Sequence, residues 1–322
     1  MHAALNRQEE LCLIHHYTTL THLGTRRDQE ANAQSWRTAE IWRDMPFHDG
    51  LTYAFVLDAV LAVAALHKAY MEPENGKKYM SACLHYQNLC LCSYQEEVAN
   101  INQDNCHAVF AVSALVHILN IAISRGGPLL APTPAIETLE VQLTLGSGVK
   151  AVLNESWETV QSAHYKDIFK VPGADTPHDA VNSPEVAYAM DELKRCVADS
   201  DALSETTHDL MITFVDELEK AFKHVEQGED FAAITAWPVI IDDKARDLLK
   251  GRDPLMMLIC VHYGVLCLYL HDRWWAHNFG CRLIWDLSER LHALDASWLP
   301  LTSWARSRAA SVRASSAQVD LW

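Results

Sequence analysis

Apolar positions recur along this chain at three- and four-residue spacing, and the strict alternation of a half-buried strand is nearly absent. Leu13, Tyr17 and Leu20 set a helical stripe over 5–23 that Gly24 stops. A polar stretch carrying Trp36 and Trp42 follows. Residues 51–70 are apolar nearly all round, which predicts a helix buried on several sides. Pro73, Asn75 and Gly76 then turn the chain into a helix over 78–98. Residues 105–124 are again apolar on most faces, broken only by His107, His117 and Asn120, until Gly126-Gly127-Pro128 ends the run. Further on, the pattern predicts short helices over 136–145 and 149–160, a Pro/Asp/Gly-rich surface loop over 171–184, and amphipathic helices over 184–198 and 205–225. It places a break at Pro238, an apolar core helix over 255–270, a helix over about 274–294 and a frayed tail from Arg306. The prediction is all-α: one multi-helix domain over 1–305 with an internal apolar pocket, and a flexible tail over 306–322.

Composition sharpens this picture in two ways. The 322 residues are 49% hydrophobic, enough for a sizeable core, and carry a net charge of −16 from 42 acids against 26 basic residues. That charge repels phosphate backbones, so no direct nucleic-acid contact is expected. Nine scattered cysteines without a Cys-x-x-Cys pair read as reduced thiols of an intracellular chain, cytoplasmic or nuclear. The start of the chain lacks the apolar core of a secretory signal. The apolar run over 255–270, interrupted by His262, is shorter than the roughly 18–20 residues of a membrane span. No membrane span is expected.

Several segments in order resemble one family. Glu10 to Thr19 contains Leu13-Ile14-His15-His16-Tyr17-Thr18, similar to an opening Leu-x-x-His-His-Tyr-Thr motif. Phe55 to His67 resembles an apolar helix ending in Ala-Ala-Leu-His. Gly148-Val149-Lys150-Ala151-Val152-Leu153 with Trp157, then Trp237-Pro238, Ile259 to Leu266, Trp274-Trp275 and Leu283-Ile284 complete the order. Together they resemble the C-terminal regulatory domain of fungal binuclear-zinc-cluster transcription factors of the sterol uptake control protein type. The resemblance implies a fungal source and an all-helical fold whose hydrophobic pocket accommodates a sterol in the sensing members. Such regulators carry a six-cysteine zinc cluster before this region. Here the opening motif starts at Glu10 and no such cluster is present, so a stand-alone protein is expected. A pocket freed from a DNA-binding output can act on what it binds.

Candidate chemistry is sparse. Asp58 lies among Phe55, Leu57, Leu61 and Ala62, where burying an unpaired carboxylate is costly, so it is either a hydrogen-bond anchor or a general acid/base with a raised pKa. The resembling family usually has a non-acidic polar residue there, often histidine. His262-Tyr263 interrupts the longest apolar run and reads as structural or as a neutral polar pair facing a ligand. His16, Tyr17 and His67 divide the same way. Trp157, Trp237 and Trp274 are candidates for a rigid pocket wall, with ordinary core packing as the alternative for each. Asp242-Asp243 followed by Asp247 is superficially similar to an aspartate-rich metal motif, but Lys244 and Arg246 compete for its charge and no partner motif exists, so no metal is expected. Signatures for phosphate loops, dinucleotides, zinc proteases and serine hydrolases are missing.

The expected function is therefore binding of a lipophilic small molecule (terpenoid, sterol or polyketide) and cofactor-free cyclase or pericyclase action on it, with Asp58, His262 and Tyr263 as the catalytic candidates. His16, Tyr17, His67, Trp157, Trp237 and Trp274 are the ligand-contact candidates, and a homodimer is the assembly considered. The alternative is a ligand-sensing regulatory domain acting through a partner or through a DNA-binding part outside this sequence.

Overall fold

The computed structural model describes residues 5–21, 33–162, 182–200, 203–227, 232–241 and 243–317. Among them the chain is all-α: thirteen helices, two short 3₁₀ turns and no strand beyond one isolated bridge between Gly127 and Leu130. It packs as two compact units. The first contains 1–133, 148–171 and 273–275, and the second contains 134–147, 172–272 and 276–322.

In the first unit, α1 (Arg7–Thr19) opens on a capping box: the Asn6 side chain accepts from the Glu9 amide while the Glu9 side chain accepts from the Asn6 amide. α2 (Ala33–Gly50) occupies the polar stretch that carries Trp36 and Trp42, where no helix is predicted, and it holds Pro46 inside it. α3 (Ala54–Met71) is the centre of this unit, with most of its residues buried, and packs most extensively on α4 (Gly76–Ala99), then on α5 (Cys106–Ser124), α2 and α1. α5 ends where Gly126 adopts φ +81°, and a Cβ there would also meet Pro132 at 2.8 Å, so a side-chain-bearing residue is excluded on both counts. The buried carboxylate of Asp49 lies 3.1 Å from His107 Nδ1, tying the end of α2 to the start of α5.

α3 and α5 are both long and apolar enough to cross a membrane by length and composition, where the sequence predicts no span. Within this unit the protein itself buries 67% and 72% of those two apolar windows. A core helix wrapped by neighbours has the same composition as a span.

The second unit is built from the first half of α6 (Ala135–Ser162), α7 (Pro184–Ala198), α8 (Glu205–Glu226), α9 (Ala232–Ile240), α10 (Asp243–Lys250), α11 (Pro254–Cys267), α12 (Phe279–Leu294) and α13 (Trp298–Ala317). α6 is one helix where the sequence predicts two, running straight through Gly146-Ser147-Gly148. The reason lies in packing: a Cβ on Gly146 would sit 2.3 Å from the Pro238 carbonyl oxygen, so this glycine admits the backbone of α9. α11 is buried along nearly its whole length and crosses α12 closely at Gly264 and Gly280. α13 continues helical to Ala317, where a flexible tail is predicted from Arg306. Thr302, Ala305 and Ala309 form a buried stripe that holds it, and Ala and Arg favour the helix. Residues 318–322 of that expected tail lie outside the described residues, as do 171–181 of the expected surface loop.

Candidate functional site

Three of the predicted contact residues meet in the first unit. α1 presents His16 and α3 presents His67 near its end, with ring centroids 4.9 Å apart. Trp274 stacks on His67 at 4.5 Å with 21° between the planes. Thr21 closes the cluster: its hydroxyl lies 2.9 Å from His67 Nδ1 and its carbonyl accepts from Trp274 Nε1 at 3.4 Å. Behind the indole, Arg125 donates to the Trp274 carbonyl at 3.2 Å and lies over the Tyr70 ring at 3.6 Å, while Tyr70 donates to the Ala122 carbonyl. Burial first, and then the positive charge of Lys68, lowers the His16 pKa to about 4. Burial and His16 lower that of His67 to about 3. Both rings are neutral at pH 7. Among the described residues the buried His16 Nε2 has no hydrogen-bond partner.

Tyr17, adjacent to His16 in sequence, plays a different part. Successive residues point about 100° apart on a helix. Its ring is 2% exposed and its hydroxyl donates to the Trp42 carbonyl at 2.8 Å, fastening α1 to α2.

Asp58 is half-buried on α3. Burial raises its pKa to about 6, with Glu10 adding to the rise and His85 opposing it. Glu10 in turn accepts from the Tyr86 hydroxyl at 2.7 Å. The carboxyl therefore titrates near neutrality, the range a general acid or base needs. Its surroundings (Glu10 from α1, His85 and Tyr86 from α4) gave no motif in the sequence, because three helices supply them.

The other candidates belong to the second unit. Trp237 stacks on Tyr263 at 4.5 Å and 20°, and its Nε1 donates to the Phe214 carbonyl at 3.2 Å. The Tyr263 hydroxyl donates to the Ile234 carbonyl at 3.2 Å. That bond has a specific cause. Pro238 has no N–H, so the Ile234 carbonyl four residues before it loses its helical donor, and Tyr263 supplies the replacement. Trp237-Pro238 and Tyr263 thus form one packing device that lets α9 carry a proline. Tyr263→Phe should leave that buried carbonyl unsatisfied and cost ~1–3 kcal/mol. Urea unfolding of the variant measures this, and an unchanged midpoint would show the hydroxyl to be dispensable. His262 donates from Nδ1 to the Leu258 carbonyl at 2.9 Å and stacks on Trp304 at 5.6 Å, and burial lowers its pKa to about 4.

The structure thus brings His16, His67 and Trp274 together, and separately Trp237 with Tyr263. The catalytic candidates divide between the units, Asp58 in the first and His262 and Tyr263 in the second. Trp157 lies on α6 outside the described side chains, and Asp242 lies outside the described residues. Asp243 begins α10 and bonds to the Ser147 hydroxyl, the helix-start role that suits an acid. Among the described residues no group of three or more His, Cys, Asp or Glu is arranged to hold a metal ion.

No protein-family model matches the chain. It is 26% identical to a Zn(2)-C6 fungal-type transcription factor of Gibberella zeae, over an alignment covering 98% of this chain and 64% of that protein. The chain therefore spans less than two thirds of the relative's length. It is similar, along almost all of its own length, to part of a fungal transcription factor.

Proposed function

We propose that this chain is a ligand-sensing regulatory domain of the kind attached to fungal zinc-cluster transcription factors, acting inside the cell on transcription in response to a sterol-like or terpenoid small molecule. The observation that carries this reading is the similarity to a Zn(2)-C6 fungal-type transcription factor along 98% of the chain. The net charge of −16 fits a regulatory part that leaves DNA contact to another segment or to a partner. The ligand's flat apolar body would lie against the Trp274–His67 stack, with its one polar group facing the unsatisfied His16 Nε2.

The test joins this chain to a heterologous DNA-binding domain in a fungal host and reads a reporter while sterol synthesis is blocked. A several-fold change in output, reduced in His16→Gln, together with a sterol or terpenoid in solvent extracts of the purified protein, is the expected result. Constant output with nothing extracted would sink the proposal.

A second reading, cofactor-free cyclisation of the bound molecule, is favoured by one observation: a half-buried carboxyl at Asp58 with a pKa near 6. Under that reading the walls hold a reactive fold of the substrate and Asp58 moves the proton. Turnover of the extracted molecule's precursor, lost in Asp58→Asn, distinguishes it from sensing.

A further inference from the structure

In this acidic chain α13 is a basic element. Its buried stripe leaves Ser311 on the opposite, exposed side, where the hydroxyl donates to the Ser307 carbonyl one turn earlier, at 3.1 Å. Arg308 stands three residues before Ser311 and Arg306 five before. Of the fifteen arginines only Arg308 and Arg313 have a serine or threonine three residues on, and only Ser311 has a second arginine five residues before it. Two guanidiniums at those offsets are what a serine kinase with acidic subsites can grip, since each pairs bidentately with a carboxylate. Arg308 is exposed, and its ion pair among the described residues, with Glu185 at the start of α7, is loose at 3.7 Å. Arg306 is held over the face of Trp285 at 4.5 Å.

We propose that Ser311 is a phosphorylation site for an arginine-directed serine kinase, and that phosphate there draws Arg308 away from α7. In the transfer the Ser311 Oγ bonds to the γ-phosphorus of ATP as the bond from that phosphorus to the bridging oxygen breaks. ADP leaves, and the hydroxyl proton passes to the kinase's base. The new group carries close to two negative charges one helical turn from Arg308, and outcompetes the single, solvent-exposed Glu185 carboxylate for that guanidinium.

The experiment incubates the purified full chain with Mg-ATP and an arginine-directed kinase, cAMP-dependent kinase as the probe, and maps phosphate by peptide mass spectrometry. One phosphate on Ser311 is expected, absent in S311A and reduced about tenfold or more in R308A, the loss of one paired guanidinium. Amide exchange over 184–198 should then rise several-fold, and phosphorylating E185Q should add little to a rise that substitution already causes. Labelling of a synthetic 304–317 peptide but not of the folded chain would overturn the site. So would phosphate on Ser307 or Ser316 instead, or labelling indifferent to R308A. Phosphate on Ser311 with unchanged exchange over 184–198 would overturn the release of α7.

Discussion

Trp237→Ala is expected to destabilise the second unit by roughly 3–5 kcal/mol, the range for truncating a fully buried large aromatic side chain. Trp237 is 1% exposed and is the largest of the fully buried side chains among the described residues. Its indole fills the space between α8, through the Phe214 carbonyl, and α11, through the face of Tyr263. Alanine would remove the stack and open a void lined by rings and the α9 backbone, which Pro238 and the close approach to Gly146 prevent from collapsing inward. The Phe214 carbonyl still has its own helical donor, so the loss comes from packing far more than from an orphaned acceptor. Trp237→Phe keeps most of the ring and should cost well under half as much. Hydrogen exchange over α8, α9 and α11 in graded urea measures the effect within this unit. Near-wild-type protection in Trp237→Ala would mean that the site repacks, and the clamp assigned to Trp237, Pro238 and Tyr263 would then be wrong.

That clamp shows how far the sequence is legible. Helix positions follow from periodicity wherever one face is strongly apolar: α3, α5, α7, α8 and α11 lie within a few residues of their predicted spans. Periodicity fails where a residue's meaning depends on a distant neighbour. Gly146 reads as a breaker in one dimension, and only the carbonyl of Pro238 against it explains why α6 continues. Pro238 reads as a break, and only the Tyr263 hydroxyl explains why α9 survives it. α2 gives no clear helical signal because its stripe is weak and Pro46 lies inside it. α13 reads as a tail because small residues hold it, Ala305 and Ala309 offering little hydrophobic signal while packing completely.

The site is legible in the same partial way. His16, His67 and Trp274 are visible as polar or aromatic interruptions of apolar runs, but Thr21, Tyr70 and Arg125, which fix their geometry, are unremarkable in sequence. Likewise Asp58 stands out, whereas Glu10 and His85, which set its titration, do not.

Acid should weaken the second unit between pH 6.5 and pH 4 by about 3 kcal/mol on account of His262 alone. The folded pKa is about 4 against an ordinary 6.5, so throughout that window the unfolded chain binds a proton that the folded one refuses. Stability therefore rises with pH across the window and is fully present above it. His262→Gln keeps a neutral donor and acceptor of similar length and should flatten the slope over α11 and α12 without lowering stability at pH 7 by a comparable amount. The first unit is expected to respond at least as steeply, because its two lowered histidines outweigh the one carboxyl that opposes them. His16 and His67 carry lowered pKa values and act in the same direction as His262. Asp58 acts the other way. Its raised pKa means that the folded state holds a proton that the unfolded state has released, a contribution present at low pH and lost as pH rises through about 6. His107, raised chiefly by its bond to Asp49, likewise stabilises below 6.5 and stops doing so as pH climbs through its folded pKa. Asp58→Asn should accordingly stabilise the first unit at pH 7 and unmask the acid lability of His16 and His67. Amide exchange followed separately over α3 and α11 from pH 7 to pH 4 tests both statements. A wild-type slope over α3 clearly shallower than that over α11, or an Asp58→Asn slope over α3 no steeper than wild type, would refute the assignment of these groups.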